Sequence, residues 1–178
     1  MGDRLGWRDT WRYVVGVVGC LAIGVYPFVL EKRVPLLGLV DLGFHELGHL
    51  LTYPLSDLAT ATAGSAIQVL VPLGLAVYFT VREERDLLGA GLCLAWAGAS
   101  AADVAVYVAD APYQALPLIG GHHDWAFILG RLGALEASGT IAAWVRGCGA
   151  LLVLAGLAAC LAGGLVRSPR DQSVPVIP

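Results

Sequence analysis

The segment "GFHELGHLL" (43–51) places two histidines and a glutamate within an otherwise apolar stretch. In this HExxH pattern, His45 and His49 are one helical turn apart and lie on the same face of a helix. That spacing lets both imidazoles reach one tetrahedral zinc ion. Glu46 lies about 100° further round the helix, where it can accept a proton from water rather than bind the metal. The pattern therefore predicts a zinc site with Glu46 as general base.

A structural interpretation of the same residues is that the two histidines hydrogen-bond to neighbouring helices. Ionisable residues within apolar membrane segments are costly, however, and usually have a function there. Metal binding also accounts for Glu46, which the structural interpretation leaves unexplained. We therefore favour a metal site.

A third ligand is required, and two polar stripes indicate where it lies. On each of two predicted helices, four polar residues fall within an arc of about 80°. They are Asp41, His45, His49 and Thr52 on the first, and Ser100, Asp103, Tyr107 and Asp110 on the second. We expect the stripes to face each other rather than lipid. Asp103, in the middle of its helix, is the first choice of third ligand, whereas Asp110 either belongs to the site or is interfacial.

A second motif, "GGHHDW" (120–125), contains the other two of the four histidines in the chain. A loop with two glycines can fold back over a site, where His122, His123 or Asp124 would bind metal, orient a ligand or stabilise a tetrahedral intermediate. His123 is the favoured alternative to Asp103 as metal ligand. The other interpretation is an ordinary surface loop in which Asp124 caps a short helix. Gln68 is a further buried polar residue, either a hydrogen-bonding partner in the site or a contact between helices.

The composition predicts a membrane protein. Of the 178 residues, 57% are hydrophobic and 14% charged, with a net charge of −3, whereas about 25% are charged in a typical soluble domain. Uncharged runs at 13–30, 58–81 and 147–166 are long enough to cross a hydrocarbon core of about 30 Å. No basic patch with interleaved aromatic residues is present, which argues against nucleic acid as a partner. The partner that we expect is the lipid bilayer.

The predicted fold is an all-α, polytopic membrane bundle of about five spans with a short re-entrant or interfacial helix. We place the spans near 13–30, 35–53, 65–81, 87–109 and 140–166, and the short helix at 125–135. The polar stretch "SDLATATAG" (56–64) is interpreted as a connection. Residues 1–166 would form one transmembrane domain and residues 167–178 a polar, disordered tail. We expect a multi-pass protein of a cell inner membrane.

"FHELGHLL" (44–51) in a membrane helix, followed by an aspartate in a later helix, resembles the intramembrane zinc metalloproteases of the site-2 protease family. The resemblance implies that His45, His49 and the later Asp103 bind zinc and that Glu46 activates water. It also implies a zinc metallopeptidase that hydrolyses a transmembrane peptide substrate.

The alternative function is a non-catalytic membrane metal-binding protein, for sensing or transport. Four protein ligands around the metal would favour that alternative. An open coordination position would favour the hydrolase.

Overall fold

The computed structural model describes residues 7–119 and 121–165. Within them the chain forms helices and no strand, which confirms the predicted all-α fold. The helices are α1 (Trp7–Phe28), α2 (Leu37–Thr52), α3 (Asp57–Val81), α4 (Leu87–Asp110), α5 (Asp124–Arg131) and α6 (Ser138–Leu165), with a 3₁₀ turn at Leu135–Ala137. The expected tail at 167–178 lies outside the described residues, as does Gly120.

Four helical segments are long and apolar enough to cross a membrane, consistent with a membrane protein. They are Trp11–Phe28, Asp57–Val81, Leu87–Asp110 and Leu135–Gly164. The fifth expected span, α2, has only 16 residues, which corresponds to about 24 Å of helix and is shorter than a hydrocarbon core. Its start is set by Leu36, whose φ of 63° is left-handed, and its end lies just before Pro54.

The α3 helix begins earlier than its polar sequence indicated, so that residues 57–64 are helical rather than a connection. The Ser56 hydroxyl caps the helix by accepting the Ala59 N–H at 3.3 Å, a typical N-cap contact. The Thr62 hydroxyl donates to the Leu58 carbonyl one turn back at 2.9 Å. These contacts satisfy the polar groups within the helix, and the added turns extend α3 along the HExxH helix.

The α4 helix is the most buried element and packs against α1, α3 and α6. Small residues allow its close approach to α6. A Cβ on Gly98 would overlap the Gly149 carbonyl oxygen, and a Cβ on Gly156 would overlap that of Gly91. Such glycine contacts let membrane helices pack backbone to backbone. They hold α4 firmly, and α4 in turn supports one wall of the candidate site.

The short helix α5 lies against α3 and α4. Its eight residues are too few to span a membrane, as expected. His123, not Asp124, is its N-cap, since His123 Nδ1 accepts the Ala126 N–H at 3.2 Å. The Trp125 indole N–H donates to the Ser65 hydroxyl at 3.0 Å, and Leu129 packs into a buried cluster with Val108. The first turn of α5 is thereby fixed over α3.

Candidate metal centre

The HExxH residues lie on α2 where it packs directly on α3. A Cβ on Gly48 would lie 2.5 Å from the Ala63 carbonyl oxygen, so the two backbones touch. His45 is buried, His49 is half-buried and Glu46 is exposed. The two imidazole rings are in contact, with centroids 4.7 Å apart. The spacing of the motif therefore brings the rings together, as the sequence predicted.

Both rings are held by acceptors at Nδ1. His45 Nδ1 lies 2.9 Å from Gln68 Oε1, and His49 Nδ1 lies 2.9 Å from the Thr60 carbonyl oxygen. Because these oxygens can only accept, each Nδ1 carries the hydrogen, and Nε2 of each neutral ring carries a lone pair. Partners of this kind typically fix the tautomer and orientation of metal-binding histidines.

Asp124 completes a group of three residues that could donate electron pairs to a metal ion. Its Oδ2 lies 3.1 Å from His45 Nε2 and 3.2 Å from His49 Nε2, and the ligand atoms of the three residues lie within 4.8 Å of one another. When both rings are neutral, two lone pairs and a carboxylate oxygen face one another and repel, and either a proton on Nε2 or a bound cation relieves that repulsion. Two donors at 2.0–2.1 Å from a tetrahedral ion are about 3.4 Å apart. The two separations from Asp124 Oδ2 are close to that value.

Gly64 of α3 leaves the space that such an ion would need. A Cβ at this position would lie 2.7 Å from Nε2 of both histidines. The absent side chain thus leaves a cradle bounded by the two nitrogens. The donor atoms, their tautomers and the cradle together fit a metal ion bound by His45, His49 and Asp124.

Asp124 is held in place from both sides. Its backbone N–H donates to the Tyr107 hydroxyl at 2.9 Å, and that hydroxyl lies 3.3 Å from Asp124 Oδ2. The preceding residue, His123, uses Nε2–H to donate to Asp110 Oδ2 at 3.2 Å. The Asp110 carboxylate also accepts the backbone N–H groups of Ala115 and Leu116. It therefore ties the α4–α5 loop to the start of α5.

A cavity of about 550 Å³ opens beside the three candidate metal ligands, and it is lined by part of each polar stripe, namely Asp41, His45, His49, Asp103 and Tyr107. Glu46 lies on its wall together with His45 and His49. The α4–α5 loop supplies an apolar wall that comprises Leu116, Pro117, Leu118 and Ile119. The arrangement can admit a substrate with apolar groups to a polar centre.

The structure places the two favoured third ligands elsewhere. Asp103 lines the same cavity but pairs with Arg33, whose Nε lies 3.6 Å from Asp103 Oδ2. His123 caps α5 with one ring nitrogen and binds Asp110 with the other, so neither nitrogen is available for a metal. Among the described residues, the group that could hold a metal contains Asp124 in their place.

The other predicted residues divide between direct partners and the cavity wall. Gln68 and Tyr107 contact the donor residues, as above. Asp41 accepts the Trp96 indole N–H at 2.7 Å and lines the cavity, as does the exposed His122. Asp110 anchors the loop and does not contact His45, His49 or Asp124 directly.

Sequence reasoning missed the Thr60 carbonyl, Gly64 and Arg33. The Thr60 carbonyl has no signal, since every residue carries one. Gly64 stands in "ATAGSA" (61–66), and such small residues indicate a close helix contact. A buried carboxylate needs a cation nearby, and this requirement could have pointed to Arg33, which lies in the α1–α2 connection.

Comparison of the chain with protein-family models, with curated proteins and with solved structures found no match.

Proposed function

We propose that this protein is a membrane-embedded, zinc-dependent hydrolase that cleaves peptide bonds, similar in chemistry to the site-2 proteases. One observation carries the proposal. The Nε2 lone pairs of His45 and His49 and the Asp124 carboxylate converge within 4.8 Å on the wall of an open cavity. The helices suit a multi-pass protein, and we place it in a cell inner membrane.

The donor set supports zinc. Two imidazole nitrogens and one carboxylate oxygen are ligands that zinc takes in catalytic sites, where a fourth position stays open. When bound, the metal would act as a Lewis acid that acidifies water and polarises a carbonyl group.

The remaining chemistry belongs to residues of the chain. Glu46, next to His45 and exposed on the cavity wall, would accept the proton of the attacking water and deliver it to the leaving amine. Gln68 and Thr60 keep the histidine rings oriented through their Nδ1 contacts. Tyr107 holds Asp124 in position. The apolar loop wall would exclude bulk water from the reacting groups.

The number of candidate metal ligands favours this proposal over a non-catalytic metal protein for sensing or transport. In the described part of the chain, the group contains three residues, not four. The cavity beside them gives a substrate access. A sensor or carrier site would more typically enclose its ion with a full set of protein ligands.

Full-length protein in liposomes, loaded with zinc, tests the proposal on a library of quenched-fluorescent transmembrane peptides. We expect the wild type to cleave members of the library. Glu46→Gln should retain about one zinc per chain but lose cleavage, since the amide keeps the shape and cannot accept the proton. Equal activity of Glu46→Gln, or a zinc-loaded wild type that cleaves no peptide, would contradict the hydrolase.

A further inference from the structure

The cavity beside the candidate metal centre is elongated along α2. On that helix its lining residues run from Gly38 to His49, which corresponds to about 17 Å. The candidate ligands His45 and His49 lie towards one end. At the other end lies Arg33 of the α1–α2 connection, because a Cβ on Gly38 would meet Arg33 Cβ at 3.4 Å and Arg33 Cδ at 3.6 Å. The Arg33 side chain therefore covers the start of α2.

Arg33 also joins the two long walls of the cavity at this end. Its Nε lies 3.6 Å from Oδ2 of Asp103, which belongs to α4. The Arg33 side chain is 63% exposed, and ion pairs so open to water shift an equilibrium by no more than about fivefold. The contact is thus strong enough to favour a closed end and weak enough to break often.

Leu36 stores backbone strain in the same connection. Its φ of 63° and ψ of −45°, with the Leu37 N–H donating to the Pro35 carbonyl oxygen at 2.7 Å, form the γ-turn of positive φ, which is rare and strained. A residue with a Cβ adopts such a backbone conformation at a cost that glycine avoids. The Leu36 side chain is 79% exposed, so packing offsets little of that cost.

The segment that can relieve the strain is short. The Lys32 N–H closes the end of α1 by donating to the Tyr26 carbonyl oxygen at 3.0 Å, and α2 begins at Leu37. Residues 33–36, which we call the latch segment, lie between these two fixed points. If Leu36 relaxed to a negative φ, the latch segment would turn and its contact with α4 would break.

We propose that the latch segment controls access to the candidate metal centre. The contact between Arg33 and Asp103 holds it closed, and the strain at Leu36 favours its opening. The two contributions are of similar size and opposite sign, since strained left-handed backbone shifts an equilibrium by about tenfold. Two states of the same segment are therefore close in free energy, as a device that opens and closes requires.

The purpose of the latch segment rests on the proposed function. A transmembrane peptide is cleaved within its chain, so polypeptide must leave the cavity on both sides of the bond that is cut. With the latch segment closed, Arg33 and Asp103 block the exit at their end. Opening of the latch segment provides that exit, and the segment thereby regulates entry of the substrate.

Reaction of an introduced thiol with a charged, water-soluble thiosulfonate measures opening without zinc or catalysis. Gly38→Cys places the thiol beneath the Arg33 side chain at ordinary contact distance. The native cysteines that are not fully buried are replaced by serine, whereas the buried pair is kept; these are Cys93 and Cys148, and Cys20 and Cys160, respectively. Labelling of this full-length reporter protein in detergent micelles is followed by mass spectrometry, and its rate follows the population of the open state.

Two variants of the reporter protein should change the labelling rate in opposite directions. Asp103→Asn keeps the Arg33 side chain but removes its charged partner, and should speed labelling about two- to fivefold. Leu36→Gly removes the strain of the closed state and should slow labelling about tenfold. A general loosening of the fold would instead speed labelling in both variants.

Matched controls isolate the backbone and the charge. Leu36→Ala shortens the same exposed side chain but keeps a Cβ and the strain, so its labelling rate should stay within about twofold of that of the reporter protein. Lys32→Gln removes the neighbouring cation, which lies outside the latch segment, and should likewise leave the rate unchanged.

Equal labelling rates of Asp103→Asn and the reporter protein would overturn the latch, as would equal rates of Leu36→Gly and Leu36→Ala. These results concern the latch alone, because the assay needs neither zinc nor cleavage. The expected labelling pattern in a protein that cleaves no transmembrane peptide would contradict the proposed function and support the opening of the latch segment.

Discussion

Gly64→Ala is the smallest change that should fill the candidate metal centre. It adds one methyl group at the point where α3 passes the HExxH helix. The new carbon would lie 2.7 Å from Nε2 of both His45 and His49, whereas ordinary contacts begin at 3.4 Å. Each nitrogen would have to move by about 0.7 Å, while metal–ligand distances tolerate about ±0.2 Å. We therefore expect zinc binding to be lost.

The fold should survive this substitution. The histidine rings can turn away only by weakening their Nδ1 contacts with Gln68 and Thr60. Overpacking of this kind costs about 1–3 kcal/mol, and replacing glycine by alanine within a helix recovers about 1 kcal/mol. The expected net loss of unfolding free energy is about 0–2 kcal/mol. The variant should thus be folded and metal-free.

Metal analysis by mass spectrometry, together with thermal unfolding followed by circular dichroism, measures both quantities in detergent micelles. Gly74→Ala is the matched control, because it lies in the same helix and a Cβ there meets no atom within 4 Å. The control should keep about one zinc per chain and should not be destabilised. A Gly64→Ala protein that binds zinc as tightly as the wild type would refute the assignment of the cradle.

Three further variants test the residues that orient the candidate metal ligands and the choice of the third ligand. Gln68→Leu removes the acceptor of His45 Nδ1 and should weaken zinc binding by about 10–100-fold. Gln68→Glu keeps an acceptor and should bind zinc more tightly than the leucine variant. Equal zinc affinities of the two variants, in a competition assay with a fluorescent chelator, would argue that Gln68 does not orient His45. His123→Asn should keep zinc, because asparagine still caps α5, so metal loss in a protein with native helicity would restore His123 as a ligand.

The sequence could predict the two histidines because their geometry is local. A spacing of four residues on one helix suffices to bring the rings of His45 and His49 together. The polar stripes carried similar information, since burial of polar side chains is costly and makes them face each other. Asp41, His45 and Tyr107 accordingly line one cavity.

Asp124 was one of several candidates, and the sequence could not single it out as the third metal ligand, because its position depends on contacts distant in sequence. Asp124 reaches the histidines only because Trp125 binds Ser65 and because Tyr107 holds its backbone. Asp103 was favoured as the third ligand because a buried carboxylate without a cation is costly. Arg33, from a connection distant in sequence, pairs with Asp103 and offsets part of that cost.

The predicted start of α3 was wrong for a related reason. The polar composition of residues 56–64 is typical of a loop. The threonine and serine hydroxyls there instead bond to nearby backbone groups of α2 and α3, which local composition does not reveal.

The most direct test of the central claim is anomalous X-ray scattering at the zinc edge from crystals of the zinc-loaded protein. We predict one peak, about 2.0–2.2 Å from His45 Nε2, His49 Nε2 and an Asp124 carboxylate oxygen, with a further position open towards Glu46. A peak bound by Asp103 or His123 in place of Asp124, or no peak near the two histidines, would contradict the account.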